Sequence, residues 1–426
     1  MISQDRTTSL NNIVNIIGIF ISIISIVIGI SGIIGFIPQE FFSFMVDWNT
    51  FSISASLFLA ALLMKRIKKC RNRNASKTHF VVQLSNPKIS GLLPKEQRVA
   101  QIQFGKNPYI KDTPLLGNSA LFYGRKRELH GALSVLRNPD KPGNVSILGE
   151  RHIGKSSLLN QINQALMAEE NVITIYTTMK NWRIKSQADF FRQLRQSICK
   201  ALKIEANFSN DYESFRDFIA YHDKYRFILL IDEFDKMMDN TFFDAQFFSN
   251  IRALGEQPQF GYVLASRAPL HNICHQDNTH ESKFWNIFGT QYTLGLLTQK
   301  EAEQLIQEPM QHALGKTFQD MTKILDFTGY HPAFIQLVAA DYYNALYRNR
   351  EINHDAIKTI LHNFYQELWQ QRTEKERELL RQIANHKAPK ENYLVNLLRL
   401  RGLLNNQNKL FAHFFEQMIL DSEDMD

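Results

Sequence analysis

The sequence predicts an α/β fold: a parallel β-sheet core layered with helices, carrying a helical lid and a C-terminal winged helix, and preceded by transmembrane α-helices. Three observations predict it. Short apolar runs at 143–149, 172–176, 226–231, 260–265 and 292–296 alternate with stretches of helical periodicity, as strand–helix–strand units do. Gly149-Glu150-Arg151-His152-Ile153-Gly154-Lys155-Ser156 follows the first run and precedes Leu158, Leu159, Ile162 and Leu166, which fall near helical spacing. Near the N-terminus no charged side chain occurs between Arg6 and Glu40.

Length and composition bound the reading. At 426 residues with 44% apolar content, the chain holds two or three domains and is not generally disordered. The net charge of +7 is local. Lys65, Arg66, Lys68, Lys69, Arg71 and Arg73 carry most of it and leave about +1 for the rest, so the excess does not by itself imply nucleic acid. Three scattered cysteines, Cys70, Cys199 and Cys274, make no disulfide framework and fit a reducing compartment.

In chain order, Ile13 to Ile37 is rich in Ile, Phe and Gly and exceeds the roughly 20 residues a bilayer core requires. A cleaved signal peptide would have an apolar region of about 7–15 residues with positive charge ahead of it, which this stretch lacks. A second span reads at 45–64, shorter and reached only by including Asp47. The basic run at 65–73 then places that end, and with it the N-terminus, in the cytoplasm, so the expected location is the inner (cytoplasmic) membrane, multi-pass. Gly18, Ser22, Ser25, Gly29 and Gly32 share one face of the first span, and Ser52, Ser56 and Ala60 one face of the second. Such stripes pack helices within a hairpin or between protomers, or reflect the ordinary abundance of small residues in membrane helices. Residues 74–116 are polar and carry Pro87, Pro94, Pro108 and Pro114, which reads as a linker with at most one strand, at 79–84.

The globular core is expected at 117–297. The Gly-x-x-x-x-Gly-Lys-Ser loop, from Gly149 to Ser156 with the adjoining Ser157, is the phosphate-loop pattern. Its backbone N–H groups wrap phosphates while a helix N-terminus points at them. Lys155 then reaches the β- and γ-phosphates, and the Ser156 hydroxyl ligates Mg2+. After helices at 188–202 and 212–221, Arg226-Phe-Ile-Leu-Leu-Ile231 ends in Asp232-Glu233. A buried parallel strand ending in two carboxylates delivers a metal ligand, Asp232, and a water-polarising base, Glu233. A helix at 242–254 leads to the strand 260–265, whose tip carries Ser266-Arg267, placed to contact a γ-phosphate.

From 298 to 370 the chain reads as helices at 301–306, 321–327, 332–347 and 354–369, the lid. Residues 371–420 follow the order helix, helix, short strands of a winged helix, and 421–426 form an acidic tail. His271, Cys274, His275 and His280 match no common zinc spacing and read as an ordinary loop.

Gly124-Arg125-x-x-Glu128-Leu129, the loop at 149–156, Asp232-Glu233, Ser266-Arg267 and Gly329-Tyr-His331-Pro332 resemble, in this order, the STAND class of P-loop NTPases and the related archaeal-type ATPases of the AAA+ assemblage. The resemblance covers about Asn107 to Leu420. It implies that Arg125 lies near the nucleotide, that Arg267 is a first sensor and that His331-Pro332 begin a lid helix touching nucleotide. It also implies a winged helix that packs on the nucleotide domain, and a switch serving signalling, including defence against phage. No arginine stands out as a finger acting in trans; Arg252 is the one candidate. The expectation is therefore a membrane-anchored, self-associating ATPase using ATP and Mg2+. Its rivals are a DNA-binding ATPase, for which Lys387, Lys390, Arg399 and Arg401 would have to be exposed, and a nucleotide-binding scaffold without turnover.

Overall fold

The computed structural model describes residues 91–426 apart from 112, 180–183, 206–208, 238–241, 274–282, 391 and 424–426. Both apolar stretches read as membrane spans, the basic run at 65–73 and the strand read at 79–84 lie outside the described residues. Among the described residues no helix is long and apolar enough to cross a membrane.

Five strands form one parallel sheet in the order β2-β3-β4-β1-β5: β1 (Val145–Gly149), β2 (Val172–Thr178), β3 (Arg226–Asp232), β4 (Phe260–Ser266) and β5 (Thr290–Leu294). The strands β1, β3 and β4 are buried almost end to end, which is why they read as continuous apolar runs without alternation. Their side chains nonetheless divide by the strand's two-residue period. Ile228 and Leu230 pack with Leu133, Leu158 and Ile162 on one face, while Phe227, Leu229 and Ile231 meet an aromatic layer of Phe190, Phe215, Phe247 and Phe284 on the other. The strand predicted at 292–296 lies two residues earlier, because Leu296 and Leu297 leave the sheet and pack into the helical core.

The stretch read as a linker is packed from Gly91 onward. It holds a short helix, α1 (Lys95–Val99), and buries Val99, Tyr109 and Leu115. Around the sheet lie α2 (Lys126–Leu136), α3 (Lys155–Leu166), α4 (Gln187–Leu202), α5 (Tyr212–Tyr221) and α6 (Ala245–Gly255). Ser186, Asp211 and Asp244 cap the last three by accepting a backbone N–H from the third residue on, so α6 starts at 245 rather than at 242.

The helical part comprises α7 (Gln299–Leu314), α8 (Met321–Thr328), α9 (Pro332–Tyr347), α10 (His354–Gln370), α11 (Glu374–Ala384), α12 (Tyr393–Leu400) and α13 (His413–Glu423). A Thr298–Glu301 capping box opens α7, which continues through Pro309, eight residues past its predicted end at Ile306. Between α12 and α13 the expected strands reduce to one antiparallel bridge, Leu404 to Leu410. The segments read separately at 298–370 and 371–420 share one continuous core, in which Leu380, Leu398, Phe411 and Phe415 join Ile324, Phe334 and Tyr365. Gly329 marks a close approach between them. Its φ is +53°, and a Cβ there would lie 1.8 Å from the Phe411 carbonyl oxygen, so no side chain fits.

Candidate functional site

The phosphate loop joins β1 to α3. Gly154, at φ +104°, supplies the left-handed turn that lets α3 begin at Lys155, and His152 is also left-handed at φ 63°. The Lys155 Nζ donates to the Gly149 and Glu150 carbonyl oxygens, each at 2.9 Å. Burial holds this ammonium below the ordinary lysine range, opposed by the nearby carboxylates of Asp232, Asp235 and Glu150. A desolvated cation at a helix N-terminus is suited to a multiply charged anion.

The sheet order brings the remaining charges to this loop. β4 lies between β1 and β3, so its tip stands beside both the loop and the carboxylate pair. Asp232 is buried; its Oδ1 accepts the Glu233 N–H at 2.9 Å and its Oδ2 accepts the Tyr176 hydroxyl at 3.3 Å. Burial and Asp232 together raise the Tyr176 pKa, which keeps that hydroxyl a donor. Glu233 has φ 53°, a conformation costing a non-glycine residue about 1–3 kcal/mol and found preferentially where function holds it. Its carboxylate accepts from Thr178 at 3.3 Å and Lys236 at 3.0 Å. Arg267 donates its Nε to Asp235 at 2.9 Å.

These groups share a cleft of about 620 Å3, within the range of small-molecule sites. On its sheet side stand Arg151, His152, Ile153, Gly154, Lys155, Ser156, Ser157, Asp232, Glu233 and Arg267, all of them sequence-predicted. Its helical side is formed by Leu305, Pro332, Ala333 and Gln336, and Ile110, Leu121 and Tyr123 come from the segment ahead of α2. Arg125 lines it too, donating to the Gly295 and Ile153 carbonyls.

The family model of Novel STAND NTPase 1 matches residues 116–387, more than half of the chain. The chain belongs to that family. Among solved structures, this NTPase is similar to the Walker-type ATPase of Pyrococcus abyssi, at 14% identity and TM-score 0.51 over 72% of this chain and 99% of that one. It is also similar to the ORC2 protein of Aeropyrum pernix, at 12% identity and TM-score 0.47 over 75% and 98%. A search of curated proteins finds no match. The family match shows a STAND NTPase, and the first likeness shows the same P-loop NTPase fold.

Three predicted contacts of this STAND NTPase stand elsewhere. His331 is not on the cleft surface. It is 2% exposed and stacks on Phe334 at 3.9 Å, neither ring nitrogen has a hydrogen-bond partner, and burial pushes its pKa well below the usual histidine value. At the start of α9, Pro332 takes the cleft side and His331 the core. Gly149 and the Glu150 side chain are likewise off the cleft surface. Gly149 ends β1 and offers only its carbonyl to Lys155, while the Glu150 carboxylate turns into the protein.

There Glu150 meets a partner 222 residues away. Arg372 donates both Nη atoms to its two oxygens, at 3.0 and 2.9 Å. Arg401 also pairs with Glu150, and Glu376 lies 3.3 Å from Arg401 and 3.9 Å from Arg372. The adjacent loop residues reach the same helices: Arg151 pairs with Glu367, and His152 meets the Phe364 ring edge-on at 5.2 Å. Three consecutive phosphate-loop residues thus bind α10, the turn after it and the end of α12. Sequence reading missed Arg372 and Glu376; the only local signal was the Thr373-x-x-Glu376 capping box beside them. It also missed the segment ahead of α2, which is tied to α3 by Leu115 N–H to Ser157 Oγ at 3.0 Å and to the helical part by Tyr109 hydroxyl to Ile306 carbonyl at 2.6 Å.

Proposed function

We propose that this protein is a membrane-anchored, ATP-hydrolysing STAND switch with its catalytic part in the cytoplasm. The observation that carries the reading is the convergence of Lys155, Ser156, Asp232, Glu233 and Arg267 on one cleft whose other wall is helical. Lys155 offsets charge on the β- and γ-phosphates. The Ser156 hydroxyl and Asp232 form the all-oxygen donor set that Mg2+ prefers, which together with phosphate oxygens suits that ion. Bound there, Mg2+ would neutralise phosphate charge. Glu233 accepts the proton of the water that attacks the γ-phosphorus as the bond to the β-phosphate oxygen breaks and ADP leaves. Arg267 exchanges Asp235 for the γ-phosphate.

In Glu233→Gln, ATP turnover is expected to fall by about 10²–10⁴-fold while ATP binding persists. Equal, near-zero rates in wild type and variant would favour a scaffold without turnover.

Nucleotide state reaches the helical part through Glu150, Arg151 and His152, because a ligand that binds one arrangement better shifts the population toward it. This contact supports a switch, in which loaded molecules associate to signal, and it disfavours the DNA-binding rival. Of the four basic residues that reading needs exposed, Lys387 and Lys390 are exposed, but Arg401 faces Glu150 and Glu376 and Arg399 donates to Asn396 and Asn408, so these two are not directed to a phosphate backbone. Arg252, the candidate finger, is half-buried and pairs with Glu256, the C-cap of α6. The charge-free stretch at 13–37 and the basic run at 65–73 support the anchor. In envelope fractionation the full chain is expected to stay with membranes through high salt and alkaline washes and to be released by detergent; release by salt alone would reduce the anchor to surface adsorption.

A further inference from the structure

The helical side of the cleft holds a polar group that the phosphate chemistry does not use. Gln336 is 7% exposed, lines the cleft, and its Oε1 has no hydrogen-bond partner. It lies one turn beyond Pro332 on α9, so the two share a face, with Ala333 beside them. Two other polar side chains nearby are committed. The Tyr123 hydroxyl donates to Glu308 at 2.8 Å, and Lys111 pairs with Asp341 at 2.5 Å. Ile110, Leu121 and Leu305 give this side of the cleft an apolar lining of the kind a planar ring packs against. A buried carbonyl oxygen without a donor costs about 1–3 kcal/mol, and a ligand that supplies the donor recovers it.

We infer that the Gln336 amide reads the nucleobase, with Oε1 accepting from the exocyclic amino group of adenine and Nε2 donating to the adjoining ring nitrogen. An amide presents one acceptor beside one donor, the complement of an adenine edge. Guanine can also meet an amide through N1–H and O6, but its N2 amino group is then left needing a further acceptor. The carboxylates lining the cleft, Asp232, Glu233 and Asp235, all stand on its sheet side, and Glu308 and Asp341 are held by Tyr123 and Lys111. The inference rests on the proposed nucleotide site and adds its specificity: Gln336 sets which triphosphate is taken, whereas Lys155 sets whether any is.

The test is equilibrium binding of ATP, purine riboside triphosphate (adenine without its amino group) and GTP to the full chain in detergent, for wild type, Gln336→Leu and Gln336→Glu. Wild type is expected to prefer ATP over the purine analogue by roughly ten- to hundredfold. Gln336→Leu should bind the two within about threefold of each other, and Gln336→Glu, which keeps an acceptor but loses the donor, should fall between. The inference is overturned if wild type does not distinguish ATP from the analogue, if Gln336→Leu distinguishes them as well as wild type does, or if GTP is preferred. Those results leave the nucleotide site standing; failure of wild type to bind any triphosphate removes the site and the inference together.

Discussion

Replacing Arg372 with methionine is expected to destabilise the protein by about 3–5 kcal/mol, the usual cost of leaving a buried charge without its partner. The Arg372 and Glu150 side chains are 1% and 3% exposed, and Glu376 is 6% exposed, so water cannot take over the lost contacts. Without Arg372 the two carboxylates face the single guanidinium of Arg401. Adding Glu376→Gln restores the balance, because Glu150 and Arg401 then form a neutral pair and the glutamine amide still accepts the Thr373 cap. Urea denaturation should therefore show the double variant recovering at least about 1 kcal/mol relative to additivity. Strictly additive losses would mean that the four groups do not act as a unit, and the link from phosphate loop to C-terminal helices would lose its energetic basis.

Lys155→Ala is expected to weaken ATP binding by about 2–5 kcal/mol, the cost of removing one partner of a buried charge-assisted contact. That corresponds to a Kd at least about thirtyfold higher. The fold should survive, since Lys155 is held in the folded state against its own desolvation and its Nζ bonds only two carbonyls of its own loop. Calorimetric titration beside a thermal melt separates the outcomes. Unchanged affinity with an unchanged melt would place the triphosphate somewhere other than this cleft.

Legibility followed locality. The strands buried on both faces, the starts of the helices opened by Ser186, Asp211, Asp244 and Thr298, and the loop with its glycine at φ +104° are all set by neighbouring residues, and the pattern finds them within a few positions. The errors share a cause as well. The 74–116 segment reads as a linker because its prolines dominate its local pattern, yet in its described part, from Gly91 on, Tyr109 and Leu115 are buried and Ile110 lines the cleft. The resemblance makes His331 a nucleotide contact, and only the packing of Phe334 and Phe411 around it shows that its ring belongs to the core. α13 went unread although Phe415 and Ile419 lie at helical spacing, because a short apolar stretch ahead of an acidic tail carries little signal.

By itself the sequence determined that a glycine-turned loop precedes an amphipathic helix, that two carboxylates end a buried strand, and that an arginine follows the next strand. These are relations over a few residues, governed by dihedral preference and hydrophobic period. Only the tertiary structure decided that β4 lies between β1 and β3, which brings those three features to one cleft, and that Glu150 closes on Arg372 and Arg401 rather than on a ligand. Contacts between residues hundreds of positions apart leave no periodic trace in a single chain, because burial and charge pairing depend on which surfaces meet once the sheet and the helical core are packed.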